Sequence, residues 1–253
     1  MAVHFLSGLT RERFLSDETK LYRFCSLEHA LDVVEKQHLW FANPLSWNDP
    51  FESRFLNARY AFGGRDDLAH PLRERLLCMC LTGTYSSEAF WKVYTENTSC
   101  TCLSVDSEKM CELLEGLRGF DVYIGKADYH LTSSIKKERP AGIDMADMFR
   151  GEESQRLEAS LRLMLLKRVA FKYENEVRIL LVPRKKEQLR SAGQYVPYRF
   201  GARELIRRVT TDPRMGPLTH RLVKRHFEGE YGIKTVHSTL YRRNDPETFR
   251  LKG

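Results

Sequence analysis

No apolar run in the 253-residue sequence approaches the roughly 18–20 residues that a membrane-spanning helix needs. The stretch from Met1 to Gly8 lacks a basic region followed by an apolar segment, so no secretory signal is read there. These absences predict a soluble, cytoplasmic protein with no membrane partner. Glycine-rich phosphate loops are missing too. Without G-x-G-x-x-G or G-x-x-x-x-G-K-[ST], a Rossmann dehydrogenase and a P-loop enzyme are set aside. Without H-E-x-x-H or G-x-S-x-G, a zincin and an α/β-hydrolase follow them. Internal repeats and Pro/Gly/Ser linkers are also lacking. The expectation is a single domain over residues 1–253: an N-terminal extension at 1–19, then a core at 20–253 with a polar excursion near 133–153.

Hydrophobic residues at 42% and charged residues at 30% match an ordinary globular domain, which excludes a disordered chain or a disulfide-stapled miniprotein. Lys and Arg outnumber Asp and Glu by 41 to 34, a net charge of +7. Much of that surplus gathers between Arg199 and Arg225, where only Glu204 and Asp212 oppose eight cations. Arg207, Arg208 and Arg221 are the candidate nucleic-acid contacts there, and a solvated face is the simpler reading. The six cysteines include two C-x-C pairs, Cys78/Cys80 and Cys100/Cys102. Structural zinc sites use wider C-x2–4-C spacing, so no metal is assigned. Residues two apart in a strand share a face, and the pairs are read as small hydrophobes in two neighbouring core strands.

Strands alternate with helices along the chain, which predicts an α+β class with a mixed, mainly antiparallel sheet. Residues 20–24 read as a strand, and Ser26 as the N-cap of a helix over 27–38. A strand at 39–41 follows. Asp49-Pro50-Phe51-Glu52 then places Asp at an N-cap, Pro at N1 and Glu at N3, the signature of another helix with a back-bonded cap. Further strands are expected at 76–82, 99–105, 208–211 and 234–237, and helices at 107–117, 152–167 and 217–227. Residues 170–182 form the clearest strand signal, alternating apolar and polar before turning apolar.

Within that last segment Glu174 and Glu176 would share one face, about 6–7 Å apart. Paired carboxylates on a buried face are costly, so such pairs mark clefts. Equally, Lys172, Glu174, Glu176 and Arg178 could be the wet side of a half-buried strand. Tyr22 and Arg23 close the first strand, where an arginine can hold a phosphate bidentately or stand exposed. Trp40, Phe41 and Trp47 could stack on a flat ring that Asn43 and Asn48 would hydrogen-bond, or could be core beside a turn. Trp91 and Tyr94 are i, i+3 partners. Asp49 and Glu52 are accounted for by capping.

The segments Leu21-Tyr22-Arg23-Phe24, Leu39-Trp40-Phe41-Ala42-Asn43-Pro44 and Asn48-Asp49-Pro50-Phe51-Glu52 resemble a widespread bacterial family of uncharacterised proteins. So do Phe90-Trp91-Lys92-Val93-Tyr94 and the Tyr173-Glu174-Asn175-Glu176-Val177-Arg178 strand. The order of elements is more distantly similar to the ADP-ribosyltransferase fold. That resemblance implies an enzyme using NAD as substrate, a transferase or glycohydrolase, acting as a toxin or anti-phage effector on nucleic acid or protein. It implies that Glu176 is catalytic, that Glu174 positions the acceptor and that Arg23 holds ribose or phosphates. Tyr22, Phe41, Asn43, Trp47, Asn48 and Tyr94 are grouped around the same cofactor site. The serine-threonine-serine element of arginine-type members has only Asn97-Thr98-Ser99 as a loose counterpart. Two alternatives stand beside this reading. One is a metal-dependent nuclease built on Glu174, Glu176 and Lys172; the other is a non-catalytic nucleic-acid-binding module.

Overall fold

All eight residues of Glu176–Pro183 are buried, which sets this strand at the centre of the fold. Val177, Ile179 and Leu181 enter one hydrophobic cluster, while Leu180 and Val182 enter a second on the opposite face. A strand covered on both faces carries no wet side, so a run of apolar residues replaces alternation. The computed structural model describes residues 3–16, 21–85, 87–94, 99–137, 139–185 and 193–242. Lys20, Asn97 and Thr98 lie outside the described residues.

The strands are β1 (Val3–Phe5), β2 (Leu21–Ser26), β3 (His38–Ala42), β4 (Arg59–Phe62), β5 (Arg65–Ala69), β6 (Leu77–Thr82) and β7 (Cys100–Val105). They continue with β8 (Phe120–Lys126), β9 (Asp128–His130), β10 (Leu166–Arg168), β11 (Glu176–Pro183), β12 (Gly193–Pro197), β13 (Ile206–Thr211) and β14 (Lys234–His237). The principal sheet runs in the order β1-β8-β11-β6-β2-β7-β13-β14, with β12 paired to β3 and β3 to β6. Only its outer pairs, β1 with β8 and β13 with β14, are parallel. The class is therefore α+β with a mixed, mostly antiparallel sheet. One face packs on helices Leu27–Glu35, Ser107–Gly116 and Pro217–Tyr231; the other packs on helix Glu153–Leu163.

Several expectations change at element boundaries. The N-terminal extension is no appendage, because β1 completes one edge of the sheet. The polar excursion is folded: Ile135, Ile143 and Met148 are buried in the second core. Helix Leu27–Glu35 stops three residues before the expected end, since Gln37 takes a positive φ of 50°. The two C-x-C strands are not neighbours, because β2 lies between β6 and β7. Each pair does share a face, and the Cys78 and Cys80 sulfurs lie 4.0 Å apart.

The feature that positions the site is a split in the sheet. β2 meets β6 at one residue pair, Tyr22 with Thr82, and β3 meets it at one, Ala42 with Cys78. Between those points β2 and β3 part from β6, and helix Leu27–Glu35 bridges their ends. A cleft opens along the β6 residues left between them.

Candidate active site

The cleft has a volume of about 690 Å³, in the range of small-molecule sites. Glu174 and Glu176 form its floor, yet they do not sit on one strand as expected. Residues Val169–Glu174 wind as a 3-10 helix, Asn175 takes a left-handed conformation with φ of 42°, and β11 starts at Glu176. Asn is among the few residues that tolerate this region. The kink turns both carboxylates onto one cation.

That cation is Lys167, 7% exposed. The helix expected to reach it ends at Leu163, and Lys167 lies instead in β10, facing inward. Its Nζ donates to Glu174 Oε2 at 2.5 Å and to Glu176 Oε2 at 3.0 Å, and pairs with Glu52 Oε1 at 3.0 Å. Arg178, 1% exposed, adds a second cation. Its Nη2 donates to Glu52 Oε1 at 2.6 Å and Glu176 Oε2 at 2.9 Å, and its Nη1 to the Met164 carbonyl at 2.6 Å. The Trp47 ring covers the guanidinium at 5.0 Å. Buried charges persist only when paired and hydrogen-bonded, and this lattice pairs them almost completely. Three carboxylates against two cations leave this cluster one negative charge in excess, with Arg23 lining the same cleft.

The titration behaviour follows from the same contacts. Burial raises the Glu176 carboxyl, but Arg178 and Lys167 more than reverse this and hold it at about 2. Glu174 is shifted the other way, because burial outweighs its one lysine. Burial pulls Lys167 down while Glu176 and Glu52 push it up, and the acids win. One floor carboxylate is thus a fixed anion, and its neighbour is the more readily protonated.

The Asn48-Asp49-Pro50-Phe51-Glu52 box acts as a clamp on this floor. Its helix begins only at Arg54, and the expected back-bond from Glu52 is replaced by the ion pairs to Lys167 and Arg178. Asp49 does cap its turn, accepting from the Phe51 N–H at 2.9 Å, and its other oxygen accepts from Arg168 Nη2, also at 2.9 Å. Arg168 lies between the rings of Phe51 and Phe171, at 4.4 and 5.0 Å. Asn48 remains exposed on the cleft wall.

Of the other candidates, Tyr22, Arg23, Trp47 and Tyr94 line the cleft. Phe24, Phe90 and Tyr94 form its aromatic wall, with Phe24 and Phe90 stacked at 4.6 Å. Phe41 and Asn43 do not reach it. Phe41 is wholly buried in the first core, and the Asn43 side chain caps the following turn by accepting from the Leu45 N–H at 2.9 Å. Arg23 comes from the other side of the sheet. Tyr22, Thr82 and Glu176 are in register and share one face, whereas Arg23 pairs with Leu103, whose side chain enters the first core. Arg23 and Glu176 reach one cleft because the sheet is split between them. Beside Arg23, His29 is held at about 4 by burial first and by the arginine second.

The basic segment does not form a single surface. Arg207 and Arg208 are adjacent in β13, where the pairing with β7 shifts register, and they are engaged by different partners. Arg207 pairs with Asp106, Arg208 lies 4.9 Å over the Tyr85 ring, and Arg221 is exposed on the helix Pro217–Tyr231. For the nuclease alternative, Lys172 is exposed away from the acids, and Lys167 Nζ occupies the point where three carboxylates converge. Among the described residues no group of three or more His, Cys, Asp or Glu is arranged to hold a metal ion. No described helix is long and apolar enough to cross a membrane. No family model matches the chain, and no curated protein matches it.

Proposed function

We propose that the cleft binds NAD and that the protein cleaves the bond between nicotinamide and ribose, as an ADP-ribosyltransferase or NAD glycohydrolase. The observation that carries this reading is the pairing of a surplus carboxylate with an aromatic wall in a cleft of ligand size. A positively charged pyridinium ring suits that pairing on both counts: charge opposite the floor, a flat face against Phe24, Phe90 or Tyr94. Heterolysis sends the C1′–N electron pair to the nicotinamide and leaves oxocarbenium character on the ribose. Glu176, ionised through the whole physiological range, would stabilise that charge where it develops. Glu174, with its raised carboxyl, would take the proton from the attacking hydroxyl as the new bond to C1′ forms. Arg23 would meet the pyrophosphate from beyond the split.

The test is nicotinamide release from NAD, followed with binding by calorimetry. Release by the wild type and its loss in Glu176→Gln are expected, with NAD binding weakened in Arg23→Ala. Because Glu176→Gln removes a partner from two buried cations, its circular dichroism must match the wild type for the loss to count. No release together with no binding would end the reading.

A further inference from the structure

A second and larger cavity, about 860 Å³, lies at the other end of β11, where Val182 and Pro183 contribute to its lining. Pro183 is seven residues from Glu176, about 23 Å along the strand at ~3.3 Å per residue. Tyr123 also lines it and is in register with Leu180, so the cavity opens on the same face of the sheet as Glu176. Its charge has the opposite sign. Arg65, Arg75, Arg156 and Arg184 line it against Asp121 and Glu153, a surplus of two positive charges.

The arginines are held in different degrees. Arg184 Nε donates to Asp121 Oδ1 at 2.8 Å, and Arg75 Nη2 to the Pro183 carbonyl at 2.8 Å. The Arg75 Nε is buried with no partner among the described residues. Arg65 and Arg156 pair with no acid among those residues. Phe62 and Phe149 stack with centroids 5.9 Å apart and are both half-buried in the wall. Guanidinium N–H groups left uncommitted, those of Arg156 and the Nη groups of Arg184 whose Nε alone is held by Asp121, select phosphate oxygens, and aromatic faces select flat rings.

We infer that this cavity binds a nucleotide, its base against Phe62 and Phe149 and its phosphate between Arg156 and Arg184. The nucleotide is supplied either free or as one unit of a single strand. This site stands independently of the NAD reading, which concerns the opposite end of β11.

Calorimetric titration with AMP and anisotropy with a labelled single-stranded oligo(dA) test it on the full chain. The wild type is expected to bind AMP with a dissociation constant below about 1 mM. The double variant Arg156→Glu/Arg184→Glu is expected to weaken AMP at least about tenfold, because two charge-assisted contacts become repulsive. Both side chains are exposed, so unchanged circular dichroism is expected alongside. Oligonucleotide binding tighter than AMP assigns the single strand as the source; equal affinity assigns the free nucleotide. Absence of binding by both probes overturns the proposal. So does AMP binding that survives the double variant but is lost in Glu176→Gln, which would seat the nucleotide in the acidic cleft. Inorganic phosphate binding as tightly as AMP would remove the role of the aromatic pair and overturn it as well.

Discussion

Lys167 is the residue on which the site depends, since its ammonium satisfies Glu52, Glu174 and Glu176 at once. Lys167→Met would leave Glu52 and Glu176 to Arg178 and the buried Glu174 with no cation among the described residues. Removing one partner of a buried pair costs about 3–5 kcal/mol, so urea denaturation should show a loss of that order. Lys172→Met, five residues on and exposed, should change stability by less than about 0.5 kcal/mol. Protonation supplies a second check. His29 and His70 are held at about 4, below the ordinary 6.5, chiefly by burial. The unfolded chain therefore binds more protons, and stability falls as pH drops from about 6.5 to 4. Glu176, lowered from 4.5 to about 2, adds stability that is complete above about 4.5 and is lost as pH falls toward 2. Thermal unfolding across pH should show both windows, and His70→Gln should flatten the upper one.

The kink at Asn175 is what turns a strand-like sequence into a site. Its left-handed backbone separates the 3-10 turn from β11, and its side chain lies where a Cβ on Gly83 would stand, 2.5 Å from Nδ2. Asn175→Gly should fold with little change, because glycine enters this conformation freely. Asn175→Val should lose about 1–3 kcal/mol in denaturant unfolding, as a β-branched residue is strained there. Alternation over residues 170–182 could not reveal the kink, since Lys172, Glu174, Glu176 and Arg178 fit a wet strand equally well. The Asn-Asp-Pro-Phe-Glu box reads as a helix start; the Asp49 cap forms, but the helix begins only at Arg54 and the partners of the box are not legible. Arg168 is 119 residues from Asp49, and Arg178 is 126 from Glu52. No local pattern encodes contacts at that separation.

Across the whole molecule, charge is sorted by place more than by amount. The +7 surplus sits partly in a basic segment whose neighbours Arg207 and Arg208 are engaged apart, one with Asp106 and one over the Tyr85 ring, so they do not form one joint grip on a nucleic-acid strand. Arg207→Ala/Arg221→Ala should leave oligonucleotide affinity and its salt slope nearly unchanged, measured by anisotropy between 50 and 200 mM salt as a rough working range. A drop of one phosphate contact or more in the slope would restore that segment as a nucleic-acid surface. The two cavities at the ends of β11 differ in sign instead, one with a surplus carboxylate and one with surplus guanidinium.

Composition and short-range patterning were enough for the α+β class, for the Ser26 helix cap and for most strand positions, because burial periodicity and capping are local. Strand alternation marks Glu174 and Glu176, whereas Tyr22, Arg23 and Trp47 stand out by residue type and by the resemblance. The split between β2 and β6, the inward turn of Lys167 and the burial of Arg178 were decided in three dimensions. A charge is tolerated inside only where partners from distant segments arrive together, and the packed sheet is what brings them there.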